Sequence, residues 1–431
     1  MSTTPSSLPH LTRRQLLVGG VAAAGLPLAL AACSSDGNSG GSDATLRGAW
    51  WGGAARHEKM NAIFNLFATQ HDYAQVHTEF AEYGAYWERF ATQAAGRNLP
   101  DVFGMTEQQV GDYGEALRDL QPYVDDGALD LSGYGQQFID AGVVDGRLLM
   151  LFLGGTIPCI AYNSARLEAA GVTGDPGEWD WSQFHDAAVA VSASASSDHW
   201  GVDDGGGNVS LFDTFLRQHG KSVFSEDAID HEQGDVEHWL TLWKELREDG
   251  GAPPYDVTSE YDGAPMTDTL FARGEVALSG RNHNHIPIIQ PVIDDQLGYA
   301  RFPLVDGGGP AAIVMGTYFS VADSAESDLA IEFLDFFAND TEAIALFEAE
   351  FGSLPSAAQR EVVVGKVDEV MARSLEFGES VEDFSQIARP RPQGAVEATA
   401  LFQAANESVA LGESPADAAA AFYEQAVALT S

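Results

Sequence analysis

Across residues 83–109 the chain changes its hydrophobic period twice, and few architectures accept that. Trp87, Phe90, Ala91 and Ala94 recur at helical spacing, so residues 86–96 are predicted as an amphipathic helix with Gly96 as its stop. Pro100 forbids continuation. Asp101, Val102 and Phe103 open an extended apolar run, and residues 105–109 follow it as a polar loop with one carboxylate and two amides. Helix, turn, buried strand and polar loop in that order belong to an α/β sheet, where ligands sit beyond the carboxyl ends of strands. Met105, Glu107 and Gln108 are therefore candidates for a cleft wall, with an ordinary surface loop as the competing reading.

The residues upstream fit the same plan. Residues 45–51 read as a first strand, residues 54–70 as a helix with a buried stripe of Met60, Ile63, Phe64 and Phe67, and residues 76–80 as a second strand. With the strand at Val102 this makes a βαβαβ half, hence a parallel sheet with right-handed crossovers. Gly52 and Gly53 fit neither dinucleotide nor P-loop spacing. Trp50 and Trp51 alternate faces at the end of the first strand, so one is expected in the core and the other in a cleft.

Further along, residues 147–153 and 157–162 are predicted as apolar strands separated by Gly154, Gly155 and Thr156, an interruption expected to act as a hinge crossover. Residues 352–355 are expected to be a second one. Residues 266–273 read as a helix, and residues 275–279 as a short strand ending in Gly280, Arg281, Asn282, His283, Asn284 and His285. Polar groups gathered where a strand ends again point to a cleft. Residues 298–303 and 314–321 are predicted strands, residues 329–338 an apolar helix, and the remainder helical.

An address precedes the fold. Arg13 and Arg14 stand just before an apolar stretch over residues 16–32, which reads as a twin-arginine signal peptide in residues 1–32. The stretch ends in Leu30, Ala31, Ala32, Cys33, which resembles the lipobox of bacterial lipoproteins, where the cysteine sulfur takes a diacylglycerol. Residues 33–43 would then be the lipidated cysteine and a flexible, glycine- and serine-rich tether. The expected location is extracytoplasmic, lipid-anchored to the outer face of the cytoplasmic membrane. Cys159 is the only other cysteine, so no intramolecular disulfide is expected in the mature chain. With 22 basic and 64 acidic residues the formal charge is -42, a field that repels nucleic acid and anionic lipid headgroups.

The order of these segments resembles the bacterial extracellular solute-binding proteins of carbohydrate ABC importers, the class that includes maltose-binding protein. The carriers are LRGAWWGGAARHEKMNAIFNLF, YWERFATQAAGRNLPDVF, LRDLQPYV, GRLLMLFLGGTIPCIAYNSARLEAAGV, LFARGEVALSG, and LGYARFPLVDGGG followed by MGTYFSVA. The resemblance implies a two-lobed α/β fold of the type II periplasmic-binding kind, each lobe a mostly parallel sheet flanked by helices. Residues 44–153 plus 302–351 would form lobe 1, and residues 154–301 plus 352–431 lobe 2. It also implies a sugar or short oligosaccharide held between lobes that close on it, delivery to ABC permease subunits, and a monomer with neither cofactor nor metal.

A sugar has apolar ring faces and a rim of hydroxyls, so its site needs aromatic platforms beside groups that both donate and accept. Trp51, Tyr83, Tyr86, Glu107, Gln108, Asn282, His283 and Tyr318 supply such groups. The resemblance places binding residues in the loops carrying Met105, Glu107 and Gln108 and Arg281–His283, with Phe152 near the expected hinge. Arg56 and Arg281, if both face the cleft, would suit a uronic acid, though in a chain this acidic an arginine is more often a partner in a structural ion pair. Two rivals remain. A secreted glycoside hydrolase needs two carboxylates at a fixed separation, though no serine elbow or zinc-helix signature accompanies them here. A metal receptor would use His283 and His285 with His71 and His77.

Overall fold

The computed structural model describes residues 44–71, 74–195, 198–261, 263–325 and 327–430. The twin-arginine segment, Cys33 and the tether lie outside the described residues. Two main sheets organise the rest. The larger runs in the order Ser385–Ile387, Ala312–Val321, Val102–Thr106, Ala44–Trp51, Ala74–Ala81, and Leu151–Thr156 pairs with Ala312–Val321 as well. The smaller runs Leu297–Ala300, Pro158–Asn163, Val276–Asn282, Trp200–Val202. This is the expected α/β class with two sheets flanked by helices.

Strand Ala44–Trp51 pairs in parallel with both Ala74–Ala81 and Val102–Thr106, as the βαβαβ reading required. Every residue of Val102–Thr106 is buried, the condition of a parallel strand covered on both faces. The Ala54–Gln70 helix turns Met60, Ile63, Phe64 and Phe67 inward, and Phe64 stacks on Trp50 at 5.4 Å and on Phe333 at 4.1 Å. Around the smaller sheet, Trp181, Phe184, Phe212, Trp239, Trp243 and Phe402 form a second core. The helix Trp181–Ser194 begins there with a capping box between Asp180 and Gln183. Only the pairing of Trp200–Val202 with Val276–Asn282 is parallel in this sheet; the other two are antiparallel, against the expectation of a mostly parallel second sheet. Pro158–Asn163 enters straight from the neighbouring sheet without a crossover helix, and such a strand can be antiparallel.

The chain passes between the sheets with a single residue, Ile157, separating Leu151–Thr156 from Pro158–Asn163. Gly154, Gly155 and Thr156, expected to interrupt the strands, are part of the first one. Their glycines serve close approach, since a Cβ on Gly155 would stand 2.3 Å from Val314 Cγ1. A second crossing lies beside the first, where Gly155 and Ser353 exchange amide-to-carbonyl bonds of 2.9 and 2.8 Å. Two further expectations are corrected. Residues 266–273 form only the short 3-10 turn Met266–Asp268. The tail is not all helical, because Ser385–Ile387 pairs in parallel with Ala312, Ile313 and Val314. Leu151–Thr156 pairs no further than Met315 on that strand, and buried backbone groups beyond it need a partner.

Candidate functional site

At the carboxyl end of Val102–Thr106 the antiparallel neighbour sets Tyr318 opposite Met105 and Thr317 opposite Thr106. From the other side arrives the tail after Ser385–Ile387, whose Arg391 amide donates to the Glu107 carbonyl at 2.9 Å. Gly111 makes this docking possible, since a Cβ there would come within 2.5 Å of the Arg391 carbonyl oxygen. Four side-chain atoms gathered here are buried without a hydrogen-bond partner among the described residues: Thr106 Oγ1, Glu107 Oε2, Tyr318 Oη and Arg391 Nη1. Leaving such an atom unpaired costs about 1–3 kcal/mol, so several at one strand end mark a place kept for a ligand.

The electrostatics tie the group together. Burial pushes the Glu107 carboxyl up to about 7, against the pull of the Arg391 guanidinium and with a push from Asp213. Burial, reinforced by Glu107, also raises the Tyr318 hydroxyl. Tyr83 belongs here too: the residue is 44 % exposed overall, while burial raises its hydroxyl, which also feels the charges of Glu107 and Arg391. Beside Arg391 opens a cavity of about 750 Å³, lined among others by Asp213, Arg217, Phe224, Ile313 and Gln386. Its far wall comes from the Val209–Arg217 helix and the loop after it, so chain from both sheets encloses it. Phe224 covers the Arg391 guanidinium at 5.3 Å. A hollow of that size has the dimensions of a small-molecule site, and its lining is mostly polar and charged.

Of the residues named from sequence, Glu107, Tyr83 and Tyr318 come together in this group, and Gln108 lies half-buried on the same loop. Trp51 is 8 % exposed, packed edge-on against Tyr83 at 5.6 Å and Tyr86 at 5.4 Å and seated over Gly104. Met105 is buried in the core, and Phe152 lies edge-on to Tyr318 at 5.3 Å. These three support the site from behind.

Arg281, Asn282 and His283 form a separate group at the crossing. Arg281 bonds Ser279 at 2.7 Å and Asp203 at 3.1 Å, and Asn282 is half-buried opposite Pro158. His283 is fully buried, with Nδ1 at 2.8 Å from Ser374 Oγ and Nε2 at 3.4 Å from the Gly155 carbonyl. Burial lowers its pKa to about 4. Arg56 pairs with Glu350 at 3.1 Å and lies over Phe351 at 4.4 Å, so both arginines proposed for a uronic acid carry structural partners. No group of three or more His, Cys, Asp or Glu able to hold a metal occurs among the described residues.

Sequence reasoning missed Thr106, Asp213, Phe224 and Arg391. Arg391 left a signal, since Arg389–Pro390–Arg391–Pro392 interrupts a tail otherwise read as helical. Asp213 left another, a carboxylate on the apolar face of VSLFDTFLR.

The family model for bacterial extracellular solute-binding proteins matches residues 54–344. The chain belongs to that family. Solved structures agree in fold. A periplasmic solute binding protein from Pectobacterium atrosepticum is 18 % identical, with a TM-score of 0.78 over 90 % of this chain and 98 % of its own. An oligogalacturonide binding protein from Yersinia enterocolitica, in complex with saturated digalacturonic acid, is 17 % identical, with a TM-score of 0.77 over 89 % and 97 %. A Listeria monocytogenes ABC substrate-binding protein in complex with cycloalternan is 19 % identical, with a TM-score of 0.76 over 89 % and 97 %. At these identities the likeness is one of fold, and it makes this solute-binding protein a two-lobed one. No helix of its described residues is long and apolar enough to cross a membrane.

Proposed function

We propose that this solute-binding protein captures a sugar or short oligosaccharide between its lobes and hands it to the permease of an ABC importer. Lobe 1 would comprise residues 44–153 and 302–351, and lobe 2 residues 154–301 and 352–431, with Ser385–Ile387 reaching back to the larger sheet. The observation that carries the reading is the set of unpaired buried polar atoms on Thr106, Glu107, Tyr318 and Arg391 beside the open ring of Tyr83. Hydroxyls satisfy both donors and acceptors there, and an aromatic face suits a sugar ring. Neighbours that hold saturated digalacturonic acid and cycloalternan support it. Hydrolysis is disfavoured, because Asp213, the carboxylate that bears on Glu107, already accepts from Arg217 at 3.0 Å and from the Val223 amide at 2.8 Å. It has little capacity left to activate water.

Anchoring through Cys33 is part of the same proposal, supported by the lipobox-like Leu30–Cys33 run and the polar tether after it. A melting screen against sugars, amino acids, peptides and metals tests the function. A ligand at a hundred times its Kd stabilises by about 2.7 kcal/mol. Sugars are expected to do so, and a screen in which only the other classes raise Tm rejects the reading.

A further inference from the structure

Glu107 Oε2 and Arg391 Nη1 are both buried without a hydrogen-bond partner among the described residues, although the Gln108 side chain and the main chain bond the Glu107 carboxyl. Yet their backbones are joined at 2.9 Å, and the guanidinium acts on the carboxyl as its main positive neighbour. A buried donor and a buried acceptor, each without a partner and close enough for the one charge to act on the other, suit a group that accepts from the first and donates to the second. A hydroxyl does both. A carboxylate accepts from Arg391 but has no proton for Glu107, and it would set two negative charges together.

The other groups facing Glu107 sharpen this choice. Asp213, on the Val209–Arg217 helix, is negative and held by Arg217. Tyr318, on the neighbouring strand, and Tyr83, from its helix, bring hydroxyls and no charge. Thr106, Gln108 and Gln109, on its own loop, bring none either. Arg391 is therefore the one cation in direct play at this carboxylate among the described residues, and Arg56 and Arg281 are spoken for by Glu350 and Asp203.

We propose that Glu107 and Arg391 hold one ligand hydroxyl between them and so select neutral sugars over uronides, a selection that weakens as the medium acidifies. The proposal rests on the sugar-receptor reading. With Glu107 ionised, a neutral sugar gives its hydroxyl proton to a charged acceptor, the stronger kind of hydrogen bond. Once Glu107 takes up a proton from solvent it becomes a donor. A uronide carboxylate then accepts from both Glu107 and Arg391, so uronide binding takes up one proton per ligand wherever Glu107 starts ionised. The carboxyl's position near neutrality puts this change within reach of ordinary media.

The probes are neutral di- to tetrasaccharides of glucose, galactose, xylose and mannose, with digalacturonic acid and diglucuronic acid as the acidic set. Calorimetric titration of the full chain at about pH 5.5 and about pH 8 reads the affinity ratio of the best neutral sugar to the better uronide. We expect that ratio to exceed about tenfold at the higher pH and to fall at least about threefold at the lower one. In Glu107→Gln, which keeps a permanent donor and no charge, the ratio should not change with pH. A wild-type ratio that is flat with pH, or a uronide preferred at about pH 8, overturns the proposal and leaves the sugar-receptor reading standing. If no probe binds at either pH, in wild type or variant, the receptor reading fails and the proposal with it.

Discussion

The Arg391 amide donates to the Glu107 carbonyl at 2.9 Å while Glu107 Oε2 and Arg391 Nη1 stay buried without a partner among the described residues. Main-chain bonding fixes the frame, and the side chains remain available within it. A site built this way is organised before its ligand arrives, which reduces the ordering entropy lost on binding.

Glu107 should make the protein less stable at and above neutral pH than in mild acid. Its folded pKa of about 7 lies above the ordinary 4.5, so stability is intact below the ordinary value and is lost as pH rises from there to about 7. The full shift corresponds to about 3 kcal/mol. Glu107→Gln stays neutral throughout, so it should outlast wild type in urea at about pH 8 by up to that amount and match it near pH 4. A gap that does not widen with pH contradicts the burial.

Tyr83 and Trp51 should separate binding from stability. Tyr83→Ala removes a half-open ring beside Glu107 and Arg391, and is expected to change unfolding by under about 1 kcal/mol while weakening sugar binding by about 1–3 kcal/mol. Trp51→Ala empties a packed place over Gly104 and should lose about 3–5 kcal/mol of stability. Paired unfolding and titration curves decide, and equal stability losses in the two variants refute the assignment.

The crossing tolerates little bulk. Gly352 sits at φ +86, and a Cβ there would come within 2.3 Å of the Gly155 carbonyl and 2.8 Å of His283 Nε2. Gly365 has φ +77 with open space around it. Gly365→Ala should cost about 1 kcal/mol from backbone strain alone, and Gly352→Ala about 3 kcal/mol or more. Chemical denaturation of both variants gives the clash as their difference, and a difference near zero would mean the crossing yields.

His283 should behave as a neutral ring well below the ordinary imidazole range. Its folded pKa of about 4 lies below the ordinary 6.5, so its contribution is present above the ordinary value and lost as pH falls toward 4. Proton NMR should show the His283 imidazole untitrated above about pH 5, and a ring titrating near 6.5 would place it in solvent.

Much of this could be read from residues alone, and the failures have local causes. The stripe of Met60, Ile63, Phe64 and Phe67 and the run at Val102 carry their own periodicity, so helix and strand were visible. Glu107 was singled out because ligands sit beyond strand ends, and Tyr83 and Tyr318 because a sugar needs aromatic platforms; the structure brings the three together. Arg391 was not, because its place depends on a tail strand of three residues that pairs only once Ala312, Ile313 and Val314 are in position. Arg281 and His283 stand at a strand end as expected, but Asp203, Ser374 and Gly155 occupy their polar atoms. Sequence spacing does not reveal such distant partners.

The larger sheet draws its strands from as far apart as Ala44–Trp51 and Ser385–Ile387, with Ala312–Val321 between three neighbours. Contacts so distant along the chain are slow to form, because long loops must close before any pairing rewards them. While the chain is being made, the inner edge of Val102–Thr106 stays bare until Ala312–Val321 emerges, and an open apolar edge invites pairing with other chains. Nascent chains ending before that strand should therefore aggregate, and chains ending between it and Ser385–Ile387 should stay dispersed yet lack the wall that carries Arg391.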